Sequence, residues 1–415
     1  MISTSAFEIS THTLKNGIRI IHRECIGEVS CCGFVVNSGS RHELDEEQGM
    51  AHFTEHMLFK GTNSRKSNSI LNRMERVGGE LNAYTTKEET FIYSLFLRKD
   101  YERALDLLGD LFFNSIFPAG EIEKERDVIL DEINSYEDSP SELIFDDYDQ
   151  LLFPGHPVGR RILGNPDCLK SFKTNDFKTF HSKHYTSENI VFYSQSGIPA
   201  KKVFSLLEKQ LSEVKLLEKR SGEGLERPNA ASGIKSTIIK DTHQAHVVLG
   251  NINYSLFEEE NRMGMYFLNN ILGGPGMNSR LNLALREKSG LVYSVESNVT
   301  SFTDSGVFSI YFGTDPDQIE RCLTIVEKEL KKLREIKLTE FQLNAARKQL
   351  FGQIMISSEN KENQTLSMGK SMLYFNAYDS MKELTRKIER ITPEKLANIA
   401  NYILDPARMS LLIYK

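Results

Sequence analysis

The sequence predicts an α+β protein of two homologous domains, each a mainly antiparallel sheet packed with helices and related by internal duplication. Three observations carry that expectation. Period-two alternation of apolar and polar residues opens the chain, helical stretches follow strands in groups instead of alternating with them one by one, and the second half repeats the pattern of the first.

From about Phe7 to Glu24, "FEISTHTLKNGIRIIHRE" alternates around Asn16-Gly17, a strong short hairpin signal, so a strand pair opens the chain. "SCCGFVVNSGS" reads as a third strand. The run "QGMAHFTEHMLFKGT" (48–62) follows, with a helix expected over Gly49–Phe59, and helical periodicity returns from Ile70 to Val77. "GELNAYTTKEETFIYSLFL" goes back to strand-like alternation. Helices are expected around Tyr101–Phe113, Glu121–Tyr136 and Ser171–His184.

Between about Lys215 and Lys235 the chain becomes polar and rich in Gly, Ser and Pro, the composition of an interdomain linker. The predicted organisation is an N-terminal domain at 1–214, a linker at 215–235 and a C-terminal domain at 236–415. The duplication is visible when Met263 is set on Met50, which lays "EEENRMGMYFLNNILGG" over "DEEQGMAHFTEHMLFKG". Setting Thr392 on Thr174 aligns the ends of the two copies in the same way. In the second copy His52, Glu55 and His56 become Met265, Leu268 and Asn269, so the fold is repeated and the polar trio is not.

Composition narrows the partners. With 415 residues, 40% hydrophobic and 26% charged, the chain is an ordinary globular one. A formal net charge of −6 supplies no basic footprint for nucleic acid and no polybasic stretch for anionic lipid. Five cysteines (Cys25, Cys31, Cys32, Cys168, Cys322) form no C-x-x-C pair and are odd in number, which fits structural thiols in a reducing compartment. The start of the sequence has no charged segment followed by an apolar one, and no apolar run approaches the ~18 residues of a membrane span. A soluble cytoplasmic protein is expected.

The chemistry lies in the run 48–62. On a helix, His52 and His56 stand one turn apart on one face, with Cβ atoms roughly 5–6 Å apart, a bite suited to sharing one zinc ion. Glu55 sits beside them, placed to take a proton from a metal-activated water. The rest of the segment is apolar, so the helix should be buried, and burying these polar groups costs several kcal/mol unless a metal or hydrogen-bond network compensates. The string H-x-x-E-H is the inverted zincin signature. Two histidines leave such a site short of a protein ligand. The stripe Ile122, Glu125, Ile129, Glu132 and Tyr136 places two glutamates among inward apolar positions, which calls for a buried cationic partner, and periodicity leaves open which of them ligates.

At this point the chain resembles the pitrilysin-type, or insulinase-type, zinc peptidases, which include the mitochondrial processing peptidase. The resemblance covers nearly the whole sequence and rests on "GSRHE" (39–43), "GMAHFTEHMLFKGT" (49–62), "GGELNAYTTKEET" (78–90), "ERDVILDEI" (125–133), "HPVGRRILG" (156–164), "HY" (184–185), "LGGPGMNSRL" (272–281) and "LREKSGLVYSV" (285–295). Its length matches the short two-domain bacterial members that assemble as dimers. The resemblance implies that His52 and His56 are zinc ligands, Glu55 is the general base acting on a zinc-bound water, Glu132 is the distal ligand and Glu125 is hydrogen-bonded near a ligating histidine. It also implies a peptide added as a strand along Asn82, Ala83 and Tyr84. Arg286 and Tyr293 match the family's pair that reaches toward the substrate carbonyl and oxyanion, completing the site of a partner chain.

The function implied is a zinc endopeptidase that closes a clamshell chamber around peptides or small unfolded polypeptides, as a homodimer or as a heterodimer with a paralogue. Two alternatives differ in class. One is a non-catalytic or partner-dependent subunit of a heterodimeric peptidase, against which the presence of every site residue argues. The other is a metal-binding protein or a hydrolase of non-peptide amides.

Overall fold

The computed structural model describes residues 9–214, 216, 227–240 and 242–415. Phe7 and Glu8 at the predicted start of the first strand, and residues 215 and 217–226 of the predicted linker, lie outside the described residues. The opening hairpin pairs β1 (Ile9–Thr13) with β2 (Arg19–Glu24), Ile9 opposite Arg23 and Thr13 opposite Arg19. Gly17 turns it at φ +90°, a conformation that only glycine adopts without a Cβ penalty. Four further strands, β3 (Val29–Val36), β4 (Glu80–Thr85), β5 (Thr90–Leu97) and β6 (Ile190–Ser196), complete a six-stranded sheet in the order β1-β2-β6-β3-β5-β4. Every pairing is antiparallel except β2 with β6. Among the described residues β4 pairs only with β5 and so forms a sheet edge.

Among the described residues this half carries the α-helices α1 (Met50–Leu58), α2 (Ser67–Glu75), α3 (Tyr101–Asn114), α4 (Ala119–Glu137), α5 (Pro140–Leu152), α6 (Pro166–Ser171), α7 (Thr174–His184) and α8 (Ala200–Leu211). One face of the sheet, with Phe34, Ile92 and Phe192, packs against Phe53 and Met57 of α1, Leu108 and Phe112 of α3 and Phe177 of α7. The helix predicted from Ser171 starts instead at Thr174. Phe172 leaves the helical path to enter the core, and the Asp176 carboxylate accepts from the Lys173 amide to cap the new start.

The second half builds a five-stranded sheet from β7 (Lys235–Ile238), β8 (Ala245–Ile252), β9 (Val295–Ser301), β10 (Gly306–Thr314) and β11 (Ser410–Tyr414) in the order β7-β11-β8-β10-β9. Only β7 and β11 run parallel. Its helices are α9 (Glu259–Gly273), α10 (Ile319–Glu335), α11 (Glu340–Ser357), α12 (Lys361–Phe375), α13 (Met381–Glu389) and α14 (Pro393–Ile403). The order α14 then β11 repeats α7 then β6, as the aligned sequence copies require.

The chain forms two compact units that interleave in sequence. One comprises 1–133, 161–225 and 356–378; the other comprises 134–160, 226–355 and 379–415. The cause is that both sheets are buried on both faces. In β3 every residue from Ser30 to Val36 is buried, the unbroken pattern of a two-sided strand. In the first unit α12 supplies the second cover: Met368, Met372 and Leu373 pack on Ile21, Cys31, Val35, Phe91 and Tyr193. Gly369 lets it approach, because a Cβ there would lie 2.4 Å from the Tyr193 ring. In the second unit α5 does the same, with Leu143, Ile144 and Tyr148 on Val248, Leu412 and Tyr414. The Tyr414 hydroxyl donates to Asp147 Oδ2 at 2.6 Å. The 214/235 division thus follows the duplication of the sequence, while each compact unit borrows one cover helix from the other half.

All five cysteines are free, and four of them are buried. Among the described residues no helix is long and apolar enough to cross a membrane.

Buried His22 tunes the first unit's response to acid. Its Nδ1 lies 3.1 Å from Ser194 Oγ and its Nε2 2.9 Å from the Ile198 carbonyl. Burial lowers its pKa from 6.5 to about 4, against the pull of that carbonyl. The folded state therefore binds fewer protons than the unfolded chain between pH 6.5 and about 4. Its contribution is complete above pH 6.5 and is lost as pH falls through that window, by up to about 3 kcal/mol. Thermal unfolding of the metal-free chain is expected to show a smaller decline of Tm between pH 7 and pH 4.5 in His22→Gln than in wild type. Equal declines would contradict the assignment.

Candidate metal centre

Helix α1 begins at Gly49, whose φ of +96° turns the chain sharply into the helix. A Cβ there would lie 2.8 Å from Leu169 Cδ2 and 2.9 Å from the Leu163 carbonyl, so close packing as well as φ demands glycine. The Glu43 carboxylate accepts from the Gly49 amide at 3.0 Å and the Ala51 amide at 2.8 Å. It thereby satisfies two amides at the helix start and places negative charge at the positive end of the dipole. From Met50 to Leu58 every residue but His56 is buried.

The polar trio stands on that helix with Glu132 of α4 facing it. Glu132 Oε2 lies 3.9 Å from His52 Nε2 and 3.9 Å from His56 Nε2. One ligand atom from each of His52, His56 and Glu132 falls within 4.8 Å of the others. These separations are too long for direct hydrogen bonds and short enough for a single shared ion. His52 Nδ1 is buried with no hydrogen-bond partner among the described residues, and burial, followed by the charge of His56, lowers the His52 pKa to about 3. A neutral imidazole with its Nε2 toward two further N/O donors is a ligand set that fits zinc.

Glu125 lies on the other side of His56. Its Oε2 is 3.1 Å from His56 Nδ1, and its Oε1 is 2.5 Å from Lys60 Nζ. A proton on Nδ1 donated to Glu125 leaves the Nε2 lone pair facing His52 and Glu132. Glu125 is buried, as its place on the apolar stripe of α4 predicts, but Glu132 is more open than predicted, with 46% of its side chain exposed. The inward position after Ile129 is taken by Ile133. That leaves the donor cluster open on the Glu132 side.

Glu55 Oε2 accepts from the Thr85 hydroxyl at 2.6 Å. Burial pushes the Glu55 carboxyl up; the Thr85 bond and a positive His56 oppose the rise, and Glu132 adds to it. Thr85 ends the edge strand β4, whose Asn82, Ala83 and Tyr84 pair with Tyr93, Ile92 and Phe91. Asn82 is exposed, and the Tyr84 ring stacks on Phe91 with centroids 4.8 Å apart.

In the second unit Arg286 lies on a short π-helical turn (Asn282–Glu287), a local feature frequent at functional sites. Its guanidinium is 6.0 Å from the centroid of the Tyr293 ring. Tyr293 falls in the bend before β9 and is 86% exposed. The counterparts of the polar trio have become structural: Met265 and Leu268 are core residues, and Asn269 Nδ2 donates to the Ser297 carbonyl at 2.9 Å.

Sequence reasoning missed Lys60, Glu43 and Thr85 as supports. All three lie inside the quoted motifs, yet Lys60 and Thr85 act through contacts to Glu125 and Glu55 across the fold, and Glu43 through the Gly49 and Ala51 amides, none of which periodicity encodes.

Residues 20–166 match the family pattern described as Insulinase (Peptidase family M16), and residues 171–350 match Peptidase M16 inactive domain. The chain is 32% identical over 397 residues to the "uncharacterized zinc protease YmxG" of Bacillus subtilis, covering 95% of each. It is 33% identical over 402 residues to an "uncharacterized zinc protease" of Rickettsia felis, covering 96% of each. Its fold matches that of a Helicobacter pylori protease at a TM-score of 0.91 and 21% identity, over 98% of this chain and 99% of that one. A Pseudomonas fluorescens structure titled as a peptidase M16 inactive domain matches at 0.88 and 20% identity, over 98% and 97% of the two chains.

The cluster makes a direct prediction about metal. Metal-free chain titrated with Zn2+ is expected to bind about one ion per chain in calorimetry, and His52→Ala to lose that binding. Glu125→Gln should keep the stoichiometry with affinity reduced about 10- to 100-fold. Undiminished binding by His52→Ala would remove the cluster as the metal site.

Proposed function

The chain belongs to the M16 peptidase family, and from that premise we propose that it is a zinc-dependent endopeptidase acting in the cytoplasm on peptides or small unfolded polypeptides. The observation that carries the proposal is the convergence of the His52, His56 and Glu132 donor atoms within 4.8 Å, with Glu55 on the same helix turn. A non-catalytic subunit would have no use for that set.

His52, His56 and Glu132 would hold the ion, with Glu125 and Lys60 orienting His56. Zinc, when bound, supplies a Lewis acid that acidifies water and polarises a carbonyl. Glu55 takes the proton of the attacking water on a carboxylate oxygen and delivers it to the leaving amine nitrogen. A carboxyl raised by burial accepts a proton more readily than an exposed one, which suits that relay. The free edge of β4 offers Asn82 to Tyr84 as a template for an extended peptide, so main-chain hydrogen bonds would provide affinity with little demand on sequence. Arg286 and Tyr293 are donors for the substrate carbonyl and the developing oxyanion, contributed to the site of a partner chain in a homodimer or a dimer with a paralogue.

Glu55→Gln is expected to keep its zinc and lose cleavage of a quenched fluorescent peptide by at least about 100-fold. Turnover at the wild-type rate would remove Glu55 as the base. Mixing inactive Glu55→Gln chains with inactive Arg286→Ala chains should restore part of the activity once subunits exchange. No recovery after exchange is demonstrated by mass would contradict the role of Arg286 in a partner's site.

A further inference from the structure

Glu55 is held by more than its own helix. The Thr85 hydroxyl donates to Glu55 Oε2 at 2.6 Å, a short charge-assisted bond, and leaves Oε1 for the proton. Thr85 is β-branched and so stiff at χ1, and it is the last residue of β4, at the mouth of the turn 85–90. That turn is fixed from three sides within the first unit. The Thr86 hydroxyl accepts from the Glu88 and Glu89 amides at 3.2 and 2.9 Å and closes the turn on itself.

The segment 38–43 runs alongside it. The Ser40 amide donates to the Thr86 carbonyl at 3.3 Å, the Arg41 amide to the Lys87 carbonyl at 2.8 Å, and the Thr90 hydroxyl to the Ser38 carbonyl at 2.8 Å. Arg41 and Glu88 then form an ion pair at 2.7 Å with side chains 0% and 4% exposed. Breaking such a pair by removing one partner leaves an uncompensated buried charge, so the two segments stay together. The same segment ends at Glu43, which caps α1. On the far side Lys370 of α12 pairs with Glu89 at 2.7 Å. One strap therefore ties the start of the helix that carries Glu55 to the turn that carries its hydrogen-bond donor.

We propose that Thr85 is a positioning residue for Glu55, and that the strap 38–43, locked on the 85–90 turn by Arg41 and Glu88, exists to hold its hydroxyl in register with that carboxylate. The proposal deepens the endopeptidase reading and rests on Glu55 being the base. Efficiency in proton transfer depends on placement, and misplacing a reacting group by about 1 Å can cost about 100-fold in rate. Thr85→Val keeps the branched shape and removes the hydroxyl, with its bond to Glu55 and its longer 3.3 Å contact to Thr90 Oγ1, so Glu55 loses its anchor while β4 keeps its backbone pairing.

The test compares Thr85→Val, Thr85→Ser and Glu55→Gln, each loaded with zinc and assayed on one quenched peptide. Thr85→Val is expected to lose about 10- to 100-fold in kcat with KM within about twofold of wild type and with zinc content and Tm retained. Thr85→Ser, which restores the hydroxyl, should recover most of that loss. Crystals of the metal-free variants supply a readout independent of turnover: the Glu55 side chain should keep one rotamer in wild type and Thr85→Ser and spread over more than one in Thr85→Val. Wild-type kcat in Thr85→Val, or equal losses in the Val and Ser variants, would overturn the positioning role while leaving the base in place. Full turnover in Glu55→Gln would overturn the base itself, and the positioning role with it.

Discussion

The structure is organised around the cost of placing buried His52 and Glu55 and part-buried His56 on one apolar helix. Left to themselves, such groups in a low-dielectric core cost several kcal/mol. Each one is instead answered by something brought from elsewhere in the first unit. Glu125, itself paired with Lys60, answers His56 Nδ1, Thr85 answers Glu55, and Glu132 faces both Nε2 atoms. Among the described residues His52 Nδ1 has no hydrogen-bond partner. The contact absent from the set is the one between the two Nε2 atoms and Glu132, which is too long to be a hydrogen bond and is the place where a cation would close the account.

That helix can be held only if its surroundings are stiff, and the fold supplies stiffness by covering its sheet twice. Helices α1, α3 and α7 take one face, while α12, reached only after most of the second half has been made, takes the other. The second unit repeats the arrangement with α5. Duplicated sheets that each borrow a cover helix from the other half tie the fate of the active-looking copy to that of the copy whose trio has become Met265, Leu268 and Asn269. The second half thus has a structural part in the first unit, whose sheet α12 covers.

Much of this was legible in the sequence where the signal is local. The Asn16-Gly17 hairpin, the alternation of 80–97 and the helical face bearing His52 and His56 all come from residue spacing, and each appears where the spacing puts it. Glu125 could be marked as buried because it shares a stripe with Ile122 and Ile129. The same stripe overstated the burial of Glu132, since at the end of α4 the inward position passes to Ile133. Tyr293 is singled out by the resemblance alone, and the chain bends there before β9 begins. The cover by α12 and the bond from Thr85 join segments distant in sequence, while the cap by Glu43 reaches only as far as Gly49 and Ala51, and no periodicity announces any of them.

The central claim is that His52, His56 and Glu132 together bind zinc through nitrogen and oxygen and leave one position open. X-ray absorption at the zinc edge on the zinc-loaded chain tests it most directly. The account predicts a shell of about four nitrogen and oxygen atoms near 2.0–2.1 Å with the outer scattering of two imidazoles, and one imidazole fewer in His56→Ala. A shell containing sulfur near 2.3 Å, or one unchanged by that substitution, would contradict it.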